Sequence, residues 1–218
     1  SLLTLGTLGG QWSSAGGVNE IGVIVGTAET AAYQSHAFVY QDGAMTDLGT
    51  LGGARSAARA VNSSGVVVGR ADTGAPPPPG GLPPYRAFVY ANGVMTPIAS
   101  DGSTAYDIND YGQAVGKAGG AFLWDNGVLT DLGVAGPFSG AWAINNRGQA
   151  VGWYSPDGYN AAFLWENGVW QDLTSLVPPD SGWYRLSEAR DINEHGQIVG
   201  WGLHERYGTS HAFLLTPI

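Results

Sequence analysis

Three acids stand just ahead of a recurring asparagine: Asp107, Glu188 and Asp191. A pair of carboxylates flanking a glycosidic bond is what glycoside hydrolysis needs, one as acid and the other as nucleophile or base. The same segments carry a second set of reactive types. Three residues before each asparagine stand Gly16, Arg59, Tyr106, Trp142 and Arg190; two before it stand Gly17, Ala60, Asp107, Ala143 and Asp191. Arg59, Tyr106, Asp107, Trp142, Arg190 and Asp191 are therefore candidates to cluster around one ligand. Trp153, Tyr154, Tyr159, Trp201, His204, Arg206 and Tyr207 follow the later Val-Gly pairs. Exposed aromatics among a few polar groups suit a sugar, whose apolar ring face stacks on Trp or Tyr while its hydroxyls meet polar side chains. Each set also has a structural reading. Asp107 and Asp191 occupy equivalent repeat positions, as scaffold residues would. Arg–Asp pairs can serve only to satisfy one another. Trp is highly buried on average and can simply pack loops onto strands.

Composition removes several function classes. The 218 residues carry a formal charge of −9, with nine Lys and Arg against eighteen Asp and Glu. Such a chain cannot build the basic stripe that tracks a nucleic-acid backbone, so nucleic acid is excluded as a partner. There is no cysteine, which removes disulfides and thiolate metal sites. No Asp-rich loop supports a calcium site, and no nucleophile-elbow, zinc-protease or phosphate-cradling motif is present. No cofactor is expected. No apolar run reaches the roughly 20 residues of a membrane span.

The elements that must position these residues are repeated. Five segments share S-x-A-x-x-[IV]-N-x-x-G-x-x-V-G, with asparagines at 19, 62, 109, 145 and 193. After each comes a second block: "HAFVYQDGAMTD", "RAFVYANGVMTP", "GAFLWDNGVLTD", "AAFLWENGVWQD" and a shortened "HAFLLTPI". Alternation before the asparagine indicates a strand. N-x-x-G is a turn, because Asn and Gly tolerate positive φ. The Val-Gly run and the A-F-[VL]-[YW] run are two further strands, and D-G or N-G joins the latter to a fourth through a primed hairpin turn. The fold class is therefore all-β: four short antiparallel strands per unit, repeated five times, which indicates a five-bladed β-propeller, with an open stack or β-solenoid as the alternative. Phe38, Phe88, Phe122, Phe163 and Phe213 are expected in the core.

The unit boundaries fall at about 11–47, 48–97, 98–131, 132–172 and 173–218. "SLLTLGTLGG" at the start aligns with "AMTDLGTLGG", so residues 1–5 are expected to form the outer strand of the last blade, antiparallel to Ala212–Thr216, and to close the ring. The Asn turns and the D-G or N-G turns then share one end of every blade. The opposite end collects the loops that diverge most, among them the stiff proline segment 74–84.

The joint motif, "HAFVYQDGAMTDLGTLGG" with the asparagine segment, resembles the HAF repeat family over nearly the whole chain. That resemblance implies a bacterial, exported protein and names no activity. His precedes Ala-Phe only at His36 and His211, with Arg86, Gly120 and Ala161 elsewhere, which argues against a repeated metal ligand. The expectation is a secreted, non-enzymatic propeller that binds a ligand, a glycan foremost, through its loop-rich face. The binding set is Arg59, Tyr106, Asp107, Trp142, Trp153, Tyr154, Arg190, Asp191, Trp201 and His204. A hydrolase using Asp107, Glu188 and Asp191, and a structural or protein-docking module of an extracellular assembly, are the alternatives. Oligomeric state is left open.

Overall fold

A computed structural model describes residues 2–135, 138–205 and 208–217. Nineteen strands form five antiparallel meanders. The first sheet holds β1 (Gly9–Val18), β2 (Ile24–Thr30), β3 (Ser35–Gln41) and β4 (Ala44–Asp47). The second holds β5 (Gly52–Val61), β6 (Val67–Thr73), β7 (Tyr85–Ala91) and β8 (Val94–Pro97). β9 (Thr104–Ile108), β10 (Ala114–Ala118), β11 (Gly120–Asp125) and β12 (Val128–Asp131) make the third, and β13 (Ser139–Ile144), β14 (Ala150–Tyr154), β15 (Ala161–Glu166) and β16 (Val169–Asp172) the fourth. The last has three strands, β17 (Trp183–Ile192), β18 (Ile198–His204) and β19 (Thr209–Leu215). A single 3-10 turn, Leu173–Leu176, is the only helical segment among the described residues. The chain divides into two compact units, residues 1–112 and 113–218.

The turns are those the residue types demand. Asp42, Asn92, Asn126 and Asn167 have φ near +50°, and each is followed by a glycine with φ between 80° and 89°. Two successive positive φ values define the type I′ hairpin, whose twist matches that of the strands. In the asparagine turns, Asn Oδ1 accepts the amide four residues on: Val23 on Asn19, Val66 on Asn62, Gln149 on Asn145 and Gln197 on Asn193, at 2.9–3.0 Å.

The carboxamide also works between sheets. Asn19 Nδ2 donates to the carbonyl of Asn62, Asn62 Nδ2 to that of Asn109, and Asn145 Nδ2 to that of Asn193, at 2.9–3.1 Å. A second latch uses the repeated serine. Ser56, Ser103 and Ser139 hydroxyls accept the amides of Ala37, Ala87 and Ala121, the alanine of the A-F pair in the preceding sheet.

Between the latches, one sheet's phenylalanine face packs on its predecessor's valine face. In the first unit Val25, Ala37 and Leu48 meet Ala58, Val61, Val67 and Phe88. In the second unit Val115, Leu123 and Leu132 meet Ile144 and Phe163, and Val151, Ala162 and Leu173 meet Leu186, Ile192 and Phe213. Each phenylalanine lies opposite the Val-Gly glycine in register: Phe38 on Gly26, Phe88 on Gly69, Phe122 on Gly116, Phe163 on Gly152 and Phe213 on Gly200. A Cβ on Gly152 would collide with the Gly140 carbonyl oxygen and come within 2.9 Å of the Phe163 ring. The V-G and A-F motifs are thus two halves of one contact.

The end sheets depart from this scheme. Leu2–Thr7 belong to no strand, and the last sheet stays three-stranded, so the expected outer strand over residues 1–5 is not formed there; Ser1 lies outside the described residues. Leu2 is fully exposed. Leu3 is 66% exposed, and an end whose leading leucines stay in water gains too little to offset the entropy of ordering it. Val18 is 66% exposed where its equivalents Val61, Ile108, Ile144 and Ile192 are buried. Val199 is 43% exposed, against none for Val25, Val68, Val115 and Val151, and Leu214 is 60% exposed. One face of each end sheet therefore carries unpacked repeat positions.

Because the Val-Gly glycine is required by packing rather than by φ, Gly152→Ala should destabilise the chain by about 3 kcal/mol in urea unfolding. Gly120→Ala, whose Cβ would make only ordinary contacts, should change stability by less than about 1 kcal/mol.

Candidate ligand-binding site

The asparagine-preceding positions share a backbone peculiarity. In the β1–β2, β5–β6, β13–β14 and β17–β18 pairings the register slips at Gly16, Arg59, Trp142 and Arg190, each of which is skipped in the Cα register. These are β-bulges, which twist the strand and re-aim the bulged side chain. A side chain released from the ladder is less constrained by sheet packing, which explains why this position varies from Gly to Trp.

In the second unit the bulges bring Trp142 and Arg190 together. The Arg190 guanidinium lies 5.0 Å from the Trp142 ring centroid, and its Nη2 is 2.6 Å from Glu188 Oε2. Asn160 Nδ2 donates to Glu188 Oε1 at 2.8 Å. The buried Glu188 is thus hydrogen-bonded through Oε1, while its Oε2 meets Arg190 as an ion pair only. Asp191 Oδ1 accepts the amide of Ile192 at 2.8 Å, and in the first unit Asp107 Oδ1 accepts that of Ile108 at 2.9 Å. The two equivalent aspartates each hold the amide that follows them, Asp191 doing so beside the Arg190 bulge. Tyr106 joins Arg59 instead: its phenol lies within electrostatic reach of Arg59 and Arg70, and burial pushes its pKa above the usual tyrosine value despite these cations.

The loop aromatics split into packing and lining residues. Tyr154 is buried, with its hydroxyl donating to Asp172 Oδ2 at 2.8 Å and its ring edge-on to Trp170. Burial, and then the Asp172 carboxylate, raise its pKa strongly. Asp172 also holds the 3-10 turn by accepting the Thr174 amide. His204 stands edge-on to Trp183, which packs in turn against the core Phe213. Trp153 forms one side of a cation–π arrangement, with Lys117 Nζ 5.4 Å from its ring and 5.9 Å from that of Phe138.

Of the loop aromatics singled out in the sequence, Tyr159 and Trp201 line one pocket together. This cleft, of about 510 Å³, lies between the β14–β15 loop and the last sheet and is walled by Tyr159, Asn160, Tyr184, Arg185, Trp201 and Leu203. Tyr159 and Tyr184 are 71% and 65% exposed. Arg185 fixes the loop. Its Nη2 pairs with Asp157 at 3.1 Å, and its guanidinium lies 5.4 Å from the Tyr159 ring centroid. Asp157 also accepts the Tyr159 amide; that bond comes first, and the Arg185 pairing after it, in holding its carboxyl below the usual range. Arg206 and Tyr207 lie outside the described residues.

Sequence reasoning missed Asn160, Tyr184 and Arg185 here, and Trp12, Arg55, Arg70 and Tyr85 in the first unit. One signal was present. The residue before the repeated serine reads Trp12, Arg55, Gly102, Phe138 and Leu186, and the residue after Val-Gly reads Thr27, Arg70, Lys117, Trp153 and Trp201. Both columns diverge as much as the bulge column does.

The HAF histidine has a structural role in the first sheet: His36 Nδ1 lies 2.8 Å from Asp47 Oδ2. Arg86 stands at the same repeat position and pairs with Asp101 at 2.6 Å. Among the described residues, no group of three or more His, Asp or Glu side chains is placed to hold a metal ion. Comparison with protein-family models gives no match for the chain, and neither does comparison with curated proteins.

Proposed function

We propose that the protein is a ligand-binding module of the HAF repeat type, exported from a bacterial cell, that recognises a glycan through the cleft beside Trp201. One observation carries this reading. Two exposed tyrosines and a tryptophan converge with an amide, an arginine and two serine hydroxyls on a cleft of about 510 Å³. That volume falls in the range of about 300–1,000 Å³ usual for small-ligand sites. Aromatic faces gain area and geometry from a sugar's C–H surface, and the surrounding donors select its hydroxyls. The carboxylates act here as positioning groups, since Glu188 orients Asn160 at the cleft wall. On a glycan array, wild-type protein should retain a neutral oligosaccharide, and Trp201→Ala should weaken it about tenfold, roughly 1.4 kcal/mol. Absence of binding to every glycan would remove the sugar from this account.

The same reading includes closure of the five sheets into a five-bladed propeller. What supports it is the pair of unpacked end faces: the first sheet leaves the Val18 side bare and the last leaves the Val199 and Leu214 side bare, the two halves of an interface that recurs between internal sheets. Ala212 is exposed, whereas its equivalents Ala37, Ala87, Ala121 and Ala162 are buried. In a closed ring Ala212→Asp would bury an unpaired carboxylate and lower the melting temperature of dilute protein by about 10 °C or more. An unchanged melting temperature would refute closure.

A further inference from the structure

A second cleft, confined to the first unit, has different chemistry. We propose that it binds a carboxylate-bearing saccharide, with Arg59 and Arg70 taking the carboxylate and Trp12 the sugar ring. The cleft holds about 420 Å³. Arg55, Arg59 and Arg70 all line it, three of the eight arginines in a chain with twice as many acids as bases. Asp72 is the one acid in its wall, and it is engaged by Arg55 Nε at 3.0 Å. Neither Arg59 nor Arg70 has an ion-pair partner among the described residues. Two unneutralised guanidinium groups facing one cleft repel each other, and an anion relieves that repulsion.

The geometry prepares each cation for a planar anion. Arg59 is the bulge residue of β5, turned out of the ladder. Arg70 stands on the neighbouring strand and rests its guanidinium 5.0 Å from the Tyr85 ring centroid. Stacking of this kind occupies the flat face and leaves the N–H edge to donate, the arrangement that matches a carboxylate in two parallel hydrogen bonds. Trp12 offers an indole that is 43% exposed, and Leu82 and Pro83 supply an apolar wall from the proline segment. Ser14, Thr27 and Ser35 complete a lining that combines cationic, apolar and hydroxyl-bearing residues. A simple inorganic anion would use only the first of these; an acidic sugar uses all three.

The proposal does not rest on the cleft beside Trp201. Isothermal titration with a galacturonate trisaccharide, its neutral galactose counterpart and sodium sulfate tests it. The uronate should bind, weaken as sodium chloride rises, and lose at least tenfold in affinity in Arg59→Gln/Arg70→Gln and in Trp12→Ala. Trp201→Ala should leave it unchanged, which separates this site from the neutral-sugar reading. The substituted arginines are exposed, and unchanged circular dichroism and melting temperature would confirm folding. Uronate binding unaltered in the double variant overturns the proposal. So does absence of uronate binding, equal binding of the neutral trisaccharide, or sulfate binding as tight as uronate with Trp12→Ala silent.

Discussion

A single carboxamide sets the spacing of this protein. Each turn asparagine closes its own turn with Oδ1, and three of them are seen to reach the next sheet's asparagine carbonyl with Nδ2. One hydrogen bond of this kind contributes only about 1 kcal/mol net. Its geometric effect is larger, because it fixes turn to turn, and every strand is tied to a turn. The serine–alanine latch repeats the constraint partway along the strands. Between the two, phenylalanine needs a glycine beneath it, so side-chain choice on three strands is bound together.

That rigidity has a consequence for where binding chemistry can reside. The asparagine turns and, in the four-stranded sheets, the type I′ turns share one end of the meander, where Asn19, Asn62 and Asn145 are committed to latching. The β2–β3, β6–β7, β14–β15 and β18–β19 connections lie at the opposite end, away from the asparagine latch, and are held, where they are held, by contacts particular to one sheet, such as Arg185 on Asp157. Both clefts draw on these variable positions. Tyr159 and Asn160 come from one connection, Leu82 and Pro83 from another. The bulges add a second kind of variable position inside the strands, where a side chain leaves the ladder without breaking the sheet. Arg59, Trp142 and Arg190 are placed in this way.

Local rules were enough to read the strands, the hairpins and the five core phenylalanines, because turn chemistry and period-two patterning act over a few residues. Trp201 and Arg59, each of which lines a cleft, stood out in the sequence by divergence from an otherwise uniform repeat. Tyr154 shows the limit of that signal. It diverges too, yet its ring is buried and its hydroxyl serves Asp172, a partner eighteen residues away that no local pattern reveals. Leu2–Leu5 show another limit. Their match to the β4 segment was close in letters, but a strand forms only where a partner edge and a buried face compensate the lost chain entropy, and Leu2 has no buried face. Arg70 and Tyr85 were overlooked because their meaning lies in a pairing across two strands rather than in either segment alone.

Within each sheet, the asparagine-turn end holds neighbouring sheets together and the opposite end carries the loops proposed to bind. Hydrogen exchange of the backbone amides, with and without a saturating neutral oligosaccharide, separates the two most directly. Added protection is predicted in residues 154–160 and 201–204, with none at the asparagine turns around 62, 109, 145 and 193. Protection centred on those turns, with the loops unchanged, would contradict this assignment.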